Sequence, residues 1–544
     1  MAFSPLGTSH RSTVTGRRGM IASAHPLASL AGLRILMEGG NAIDAAIATA
    51  AALNVVEPYM SGIGGVGYLH IYSAREKEHK IVDYVGLTPK AAELDLYKST
   101  ADQDRGPLSP LVPGACGGWL AALERYGSMD AAQVFAPAIE YAEQGYALTV
   151  INSTFYSGAV PDLLRFKTGG ETYLLDGQAP KPGEVVVQKD LAETFRRVAA
   201  EGPDTFYKGT IAESIAGYMA ETGGLITMQD LADFTPTFVD PISVDYRGHQ
   251  IFAPPLPCQA IQYLETLAIM EGFDVADMGH NTAETLHHFI ETTKLAMADR
   301  IAYAAIDNPP TAGLLSPDFA AERRALIGDK AQFSAGERLF PGAPTGEVPP
   351  GDPRQWMHEC TTHFDAIDAE GNAVACTQSL GSGFGSAMVV PGTGVALNNF
   401  MRWFDLEPSS PNAIGPAKKN EMCVSPAQVW DKGGLRLLIG TPGSYGILQT
   451  TPQMIMNILD HKMNVQAGIE AARVKTGEPG YGVSAETRID AEVFAELERR
   501  GHQFSYLGDY SAGVGGGQGI MVDPDTGSFM GGADPRRDGY ALGW

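Results

Sequence analysis

Hydrophobic and polar positions change their spacing several times along the chain, and each change predicts an element. Leu27, Leu30, Ala31 and Leu36 recur near one face of a 3.6-residue period, so Pro26 to Met37 reads as a helix stopped at Gly39-Gly40. Asn41 then caps a second helix to about Asn54, apolar nearly all round and therefore buried. Leu191 to Ala200 and Ile211 to Glu221 are amphipathic helices, and Val244 to Phe252 reads as a strand. Residues 276–306 read as mostly helical, with Glu291, Lys294 and Arg300 on an exposed face, and Ile447 to Leu459 as another helix. Between these, Thr361 to Asp368 alternates with β-branched character. Asp368-Ala369-Glu370-Gly371-Asn372 supplies turn chemistry, and Ala373 to Ser379 resumes an extended run. The Pro- and Gly-rich stretch from Gly336 to Trp356 reads as a loose surface segment ending just before that hairpin.

A turn centred on Glu370 brings Thr361 directly across from Ser379, with Cβ atoms about 4.5–5.5 Å apart on one face. A hydroxyl nucleophile needs a base. A threonine at a chain start carries one, because its α-amino group has a pKa of about 7.7–8.0. That chemistry requires a cut between Cys360 and Thr361. The Thr361 hydroxyl itself can make the cut by attacking the Cys360 carbonyl, shifting the acyl group from nitrogen to oxygen before water releases it. The competing reading is an ordinary Thr-Thr pair in an interior strand.

Composition changes the picture in three ways. The 544 residues are 44% hydrophobic, enough for a large core, and length alone allows roughly two to four domains. A net charge of −24 argues against nucleic acid or an anionic membrane as partner. The five cysteines (Cys116, Cys258, Cys360, Cys376 and Cys423) are scattered without CxxC spacing, which points to free thiols in a reducing compartment. Met1 to Met20 holds no apolar core of a signal peptide, so a cytoplasmic location is expected, and the apolar window Ala45 to Val56 is too short to span a bilayer.

Other chemistries find little support. Ser61 to Gly67 is glycine-rich but precedes a strand rather than opening a helix, so it is not a dinucleotide or phosphate loop. His287-His288 and His358-Glu359-Cys360 lack the spaced partners of a zinc site and read as surface or packing residues. No Gly-x-Ser-x-Gly elbow is present. Neither a metal nor a cofactor is expected.

Several motifs occur in a fixed order: His25-Pro26-Leu27-Ala28-Ser29, Gly39-Gly40-Asn41-Ala42-Ile43-Asp44-Ala45-Ala46, Glu57-Pro58 and Ser61-Gly62-Ile63-Gly64-Gly65. Phe206-Tyr207-Lys208-Gly209, Tyr246-Arg247-Gly248, Thr361-Thr362-His363-Phe364, Leu397-Asn398-Asn399, Gly440-Thr441-Pro442-Gly443 and Asp534-Pro535-Arg536-Arg537-Asp538-Gly539-Tyr540 complete the set. Together they resemble the γ-glutamyltransferases, a family of N-terminal-nucleophile hydrolases. The resemblance implies a four-layer αββα sandwich built from both fragments of a self-cleaved chain. Residues 1–360 would be the large subunit and 361–544 the small one, held as a heterodimer. It implies Thr361 as nucleophile, Ser379 as the hydroxyl bonded to it, and the backbone N–H groups of Gly443 and Ser444 as the oxyanion hole.

The resemblance breaks at the substrate clamp. Where γ-glutamyl enzymes hold the substrate α-carboxylate with an arginine, this chain has Val85 in Asp83-Tyr84-Val85-Gly86. The aspartate that pairs with the α-ammonium falls on Trp403, its polar helper on Phe400, an asparagine on Gly381, and a serine pair on Met422-Cys423. A zwitterion in such a pocket loses water without gaining partners, at roughly 1–3 kcal/mol per unmet polar group. The expectation is therefore an amidohydrolase or acylase acting on a small non-glutamyl amide, similar to the family's cephalosporin acylases and oxamate amidohydrolase. Arg402 and Lys418-Lys419 remain as groups to meet a substrate carboxylate. Two alternatives stay open: a true γ-glutamyltransferase with a relocated clamp, and an unprocessed binding or scaffold protein.

Overall fold

The computed structural model describes residues 9–331, 360–476 and 482–544. The segment from Gly336 to Trp356 singled out above lies outside these residues. Fourteen strands form two seven-stranded antiparallel sheets. In chain order they are β1 (Val14–Gly16), β2 (Gly19–Ser23), β3 (Val66–Ser73), β4 (Glu78–Asp83), β5 (Thr237–Val239), β6 (Ile242–Tyr246), β7 (His249–Ala253), β8 (Cys360–Asp368), β9 (Ala373–Gly381), β10 (Ala427–Asp431), β11 (Gly434–Gly440), β12 (Gln518–Val522), β13 (Phe529–Ala533) and β14 (Tyr540–Gly543). One sheet runs β1-β13-β12-β11-β10-β7-β6, the other β14-β2-β8-β9-β3-β4-β5.

The sheets face each other and are covered outside by helices. Helices α1 (Pro26–Met37) and α2 (Ala42–Val56) pack on β2, β8 and β9; α3 (Ile261–Met270) and α5 (Ile447–Leu459) cover the other side, with α4 (Ala283–Tyr303) packed against α3. This is the expected four-layer αββα sandwich. Strands in its middle are buried on both faces, which is why they read as nearly continuous apolar runs. In β2, Ile21 points to the α1/α2 layer while Met20 and Ala22 meet Ile367, Ala375, Leu438 and Ile520 between the sheets.

Most helix boundaries agree with the sequence within two residues, and the capping chemistry explains why. The Asn41 side chain accepts from the N–H groups of Ile43 and Asp44 while Asp44 returns a bond to the Asn41 N–H, a reciprocal cap. Gly39 takes φ +98° just past α1.

Three expectations are corrected. In α1 the buried face is Ala28, Ala31, Gly32, Ile35 and Leu36, and Leu30 is exposed, because small residues let α1 approach α2: a Cβ on Gly32 would lie 2.3 Å from Thr49 Oγ1. Val244 to Phe252 is a hairpin rather than one strand, since Arg247 and Gly248 both adopt positive φ and form a tight two-residue turn. Glu291, Lys294 and Arg300 are buried, not exposed: α4 runs through the interior, where Lys294 pairs with Glu291 at 2.7 Å and the Arg300 guanidinium lies over the Tyr445 ring. All five cysteines are buried and free, and among the described residues no helix is long and apolar enough to cross a membrane.

Candidate active site

Strand β8 carries Thr361, His363 and Asp365 on the face between the sheets, and Thr362 and Phe364 on the face toward α1 and α2. The β8/β9 register follows the expected turn from Thr362↔Gln378 to Ile367↔Ala373, then shifts, so that Cys360 faces Gly381. Two residues, Ser379 and Leu380, thus oppose Thr361 alone, a β-bulge of the kind that re-aims side chains near functional sites. The backbone groups of Leu380 freed by the bulge are satisfied elsewhere: its N–H donates to Met60 O and its carbonyl accepts from Asn399 N–H, both at 2.9 Å.

The bulge puts the Ser379 hydroxyl between three groups. It accepts from Thr361 Oγ1 at 3.2 Å and from the Gly381 N–H at 2.8 Å, and it donates to the Cys360 carbonyl oxygen at 2.6 Å. Thr361, Cys360 and Ser379 are all buried. Behind them, Thr362 Oγ1 donates to Glu57 at 3.2 Å from the C-terminal end of α2. Burial raises the Glu57 carboxyl to about 7, against the pull of Arg537.

An acid whose pKa is higher folded than unfolded binds more protons in the folded state. Its contribution is therefore full below about 4.5 and is lost as pH rises to about 7, by about 3 kcal/mol in all. We expect Glu57→Gln to flatten the pH dependence of stability across that window. Urea unfolding of wild type and variant at pH 5 and pH 8 measures it; an unchanged difference would show that Glu57 titrates normally.

The loop from Thr441 to Ser444 leaves the end of β11. Gly443 takes φ +132° and Ser444 φ +50°, after which a single 3₁₀ turn leads into α5. Among the described residues neither the Gly443 nor the Ser444 N–H has an acceptor. Two successive positive-φ residues at the foot of a 13-residue helix form a concave donor pair suited to an anion. Positive φ at Ser444 is unusual for a residue with a side chain. The loop is braced from behind, since Thr441 Oγ1 accepts from the Gly516 N–H at 3.0 Å.

The predicted pocket residues are buried: Val85, Phe400, Trp403, Met422 and Cys423 are each 6% exposed or less, and all five belong to one apolar cluster. Phe400 and Trp403 pack at 4.7 Å between ring centroids. Gly381 has φ +104°, and a Cβ there would lie 2.1 Å from Asn399 Oδ1 and 3.3 Å from Trp403 Cζ3. A side chain at this position would have to displace the Asn399 amide, which is held by a bond from the Ser382 N–H to its Oδ1 at 2.8 Å.

Arg402 lies beside this wall, donating to Asp104 at 2.8 Å and to Ser382, with its guanidinium 5.4 Å from the Trp403 ring centre. Lys419 pairs with Asp83, two residues before Val85. Asp104 and Ser382, which join Arg402 and Asn399 in one polar cluster, and the contact from Thr362 to Glu57 are not singled out from sequence. Only the alternation of β8 hinted at the second.

No group of three or more His, Cys, Asp or Glu side chains suited to a metal occurs among the described residues. His287 is buried and its Nδ1 lies 2.8 Å from His502 Nε2, a packing role; His358 and Glu359 lie outside the described residues.

The chain resembles known proteins over nearly its whole length. It is 36% identical to the acylase ACY 1 proenzyme of Pseudomonas sp. (strain SE83), covering 98% of this chain and 94% of that one. It is 32% identical to the glutathione hydrolase proenzyme of Bacillus subtilis (strain 168), covering 97% and 92%. The crystal structure of a cephalosporin acylase from Bacillus halodurans superposes with a TM-score of 0.89 at 33% identity, covering 99% of this chain and 98% of that one. The family model for gamma-glutamyltranspeptidase matches residues 28–544. The chain belongs to the gamma-glutamyltranspeptidase family, within the N-terminal-nucleophile hydrolases.

Proposed function

We propose that this protein is a self-processing amide hydrolase, an acylase rather than a glutathione hydrolase, with Thr361 as its nucleophile. The observation that carries the reading is the Ser379 hydroxyl, bonded at once to the Thr361 hydroxyl and to the carbonyl oxygen of the bond to be cut. Thr361 Oγ attacks the Cys360 carbonyl carbon, its proton passes toward Ser379, and the oxygen that gains charge is held by the Ser379 O–H. Collapse breaks the Cys360–Thr361 C–N bond as the proton passes on from Ser379 to the departing nitrogen, leaving an ester on Oγ and a free α-amine. Water then releases Cys360 as a carboxylate. The relatives named proenzymes support maturation into fragments; with Thr361 as nucleophile those fragments are 1–360 and 361–544.

In turnover the α-amine of Thr361 takes the hydroxyl proton as Oγ attacks the substrate carbonyl. The Gly443 and Ser444 N–H groups receive the oxyanion, the amine product leaves with the proton, and water hydrolyses the acyl ester. The acylase preference is supported by the apolar wall of Phe400, Trp403 and Met422 and by Val85 in place of a clamping arginine.

Intact mass and N-terminal sequencing of the purified protein test the reading. The expected result is two fragments, the smaller beginning at Thr361. A single chain that stays uncut on long incubation would sink it and favour a scaffold role.

A further inference from the structure

His363 is the second residue beyond Thr361 on the same face of β8. Its ring is fixed on both sides. Nδ1 lies 2.8 Å from Oγ1 of Thr377, its cross-strand partner, and Nε2 lies 3.2 Å from Oδ1 of Asp365, the next residue on that face. The tautomer protonated at Nε2 satisfies both contacts, accepting from Thr377 and donating to Asp365. All three side chains are fully buried.

The held ring meets the opposite sheet at Gly440, the last residue of β11 and the one from which the Thr441–Ser444 loop departs. A Cβ on Gly440 would lie 2.4, 2.5 and 2.8 Å from His363 Cε1, Nδ1 and Nε2. Gly440 has no positive φ to explain its glycine. The imidazole explains it.

We propose that His363 is a positioning residue: wedged against Gly440, it sets the distance between the strand that presents Thr361 and the loop that presents the Gly443 and Ser444 N–H groups. The inference rests on the reading of Thr361 and that donor pair as the reacting ends. Such donors must be held within about 0.5 Å of the productive geometry, and removing one lowers the rate about 10²–10³-fold. A sheet spacing fixed by a side chain with two held nitrogens gives that accuracy without any contact to substrate.

A size exchange tests it. In Gly440→Ala the new methyl group must push the ring or the loop aside. We expect processing to be slowed and kcat for an amide substrate to fall about 100-fold with KM nearly unchanged. Inhibition by an alkylboronic acid, which forms a tetrahedral adduct on the nucleophile, should weaken in parallel, while inhibition by the carboxylate product should not. Adding His363→Asn, which opens space facing the methyl, should restore kcat at least tenfold.

A Gly440→Ala enzyme with normal kcat, or a double variant no better than the single one, would overturn the proposal. So would a loss of kcat in which boronate and product inhibition weaken equally, since that marks general damage. Should Gly440→Ala fail to fold, Thr377→Val keeps the volume and unties Nδ1; a kcat lowered several-fold is expected, and an unchanged one counts against the wedge. Processing of the wild type at Thr361 is read separately, so failure of the nucleophile assignment and failure of the wedge are distinguishable.

Discussion

Thr361→Ala is expected to leave the protein as one uncut chain with no amide-cleaving activity. Both losses have one cause: without Oγ there is no attack on the Cys360 carbonyl, and without that cut the α-amine stays locked in a peptide bond and cannot serve as base. Ser379→Ala separates the roles. It leaves the nucleophile but removes the donor 2.6 Å from the Cys360 oxygen and the acceptor of the Thr361 hydroxyl proton. Loss of one such donor lowers rates about 10²–10³-fold, so Ser379→Ala should mature about 10²–10³-fold more slowly than the wild type. Thr361→Ser keeps the hydroxyl and should still be cut. Mass spectra at timed intervals after purification read all three, and a Thr361→Ala chain that cleaves itself at the same bond would remove Thr361 from the mechanism.

Glutathione is expected to be a poor substrate, with kcat/KM at least about 10³-fold below that for an amide with an apolar acyl group. The γ-glutamyl moiety brings an α-carboxylate and an α-ammonium, and the positions expected to meet them are Val85 and Trp403, both buried among apolar side chains. Two unmet charged groups at about 2 kcal/mol each give about 4 kcal/mol, or close to three powers of ten. Matched p-nitroanilides, one γ-glutamyl and one with an aromatic acyl group, make the comparison with the leaving group held constant. Comparable values for the two would mean that the clamp has moved, and Lys419 beside Asp83 and Arg402 beside Trp403 would be the first residues to replace.

The sequence displayed the hairpin, its turn and the register from Thr362 to Ile367, because period-two alternation and turn chemistry are local properties; the direct pairing of Thr361 with Ser379 gives way to the bulge, and only their hydroxyls meet. It displayed α2 for a similar reason, a reciprocal cap followed by an apolar run. The bulge at Ser379 and Leu380 was not legible, since its signature, Gly381 at positive φ, has meaning only beside Asn399 and Trp403. The burial of Glu291, Lys294 and Arg300 escaped because charge on one helical face ordinarily marks solvent, and only the packing of α4 in the interior overrides that rule. The contact of His363 with Gly440 joins residues far apart in sequence, and nothing near either one announces the other.

The strand order carries a consequence for how the mature protein would come apart. In one sheet, β2 from the N-terminal part sits between β14 and β8 from the C-terminal part, and in the other, β1 and the β6-β7 hairpin bracket four strands that follow residue 360. Cutting before Thr361 severs β8 only after its first residue, Cys360, but changes the molecularity of the unfolding reaction. The uncut chain can unfold and refold as one molecule; the cut one dissociates on unfolding and must find its other half again. The melting temperature of the mature protein should therefore rise with protein concentration while that of Thr361→Ala does not. Once diluted out of denaturant, the separated halves should recover activity slowly and incompletely, so maturation would make the fold a one-way product of its own synthesis.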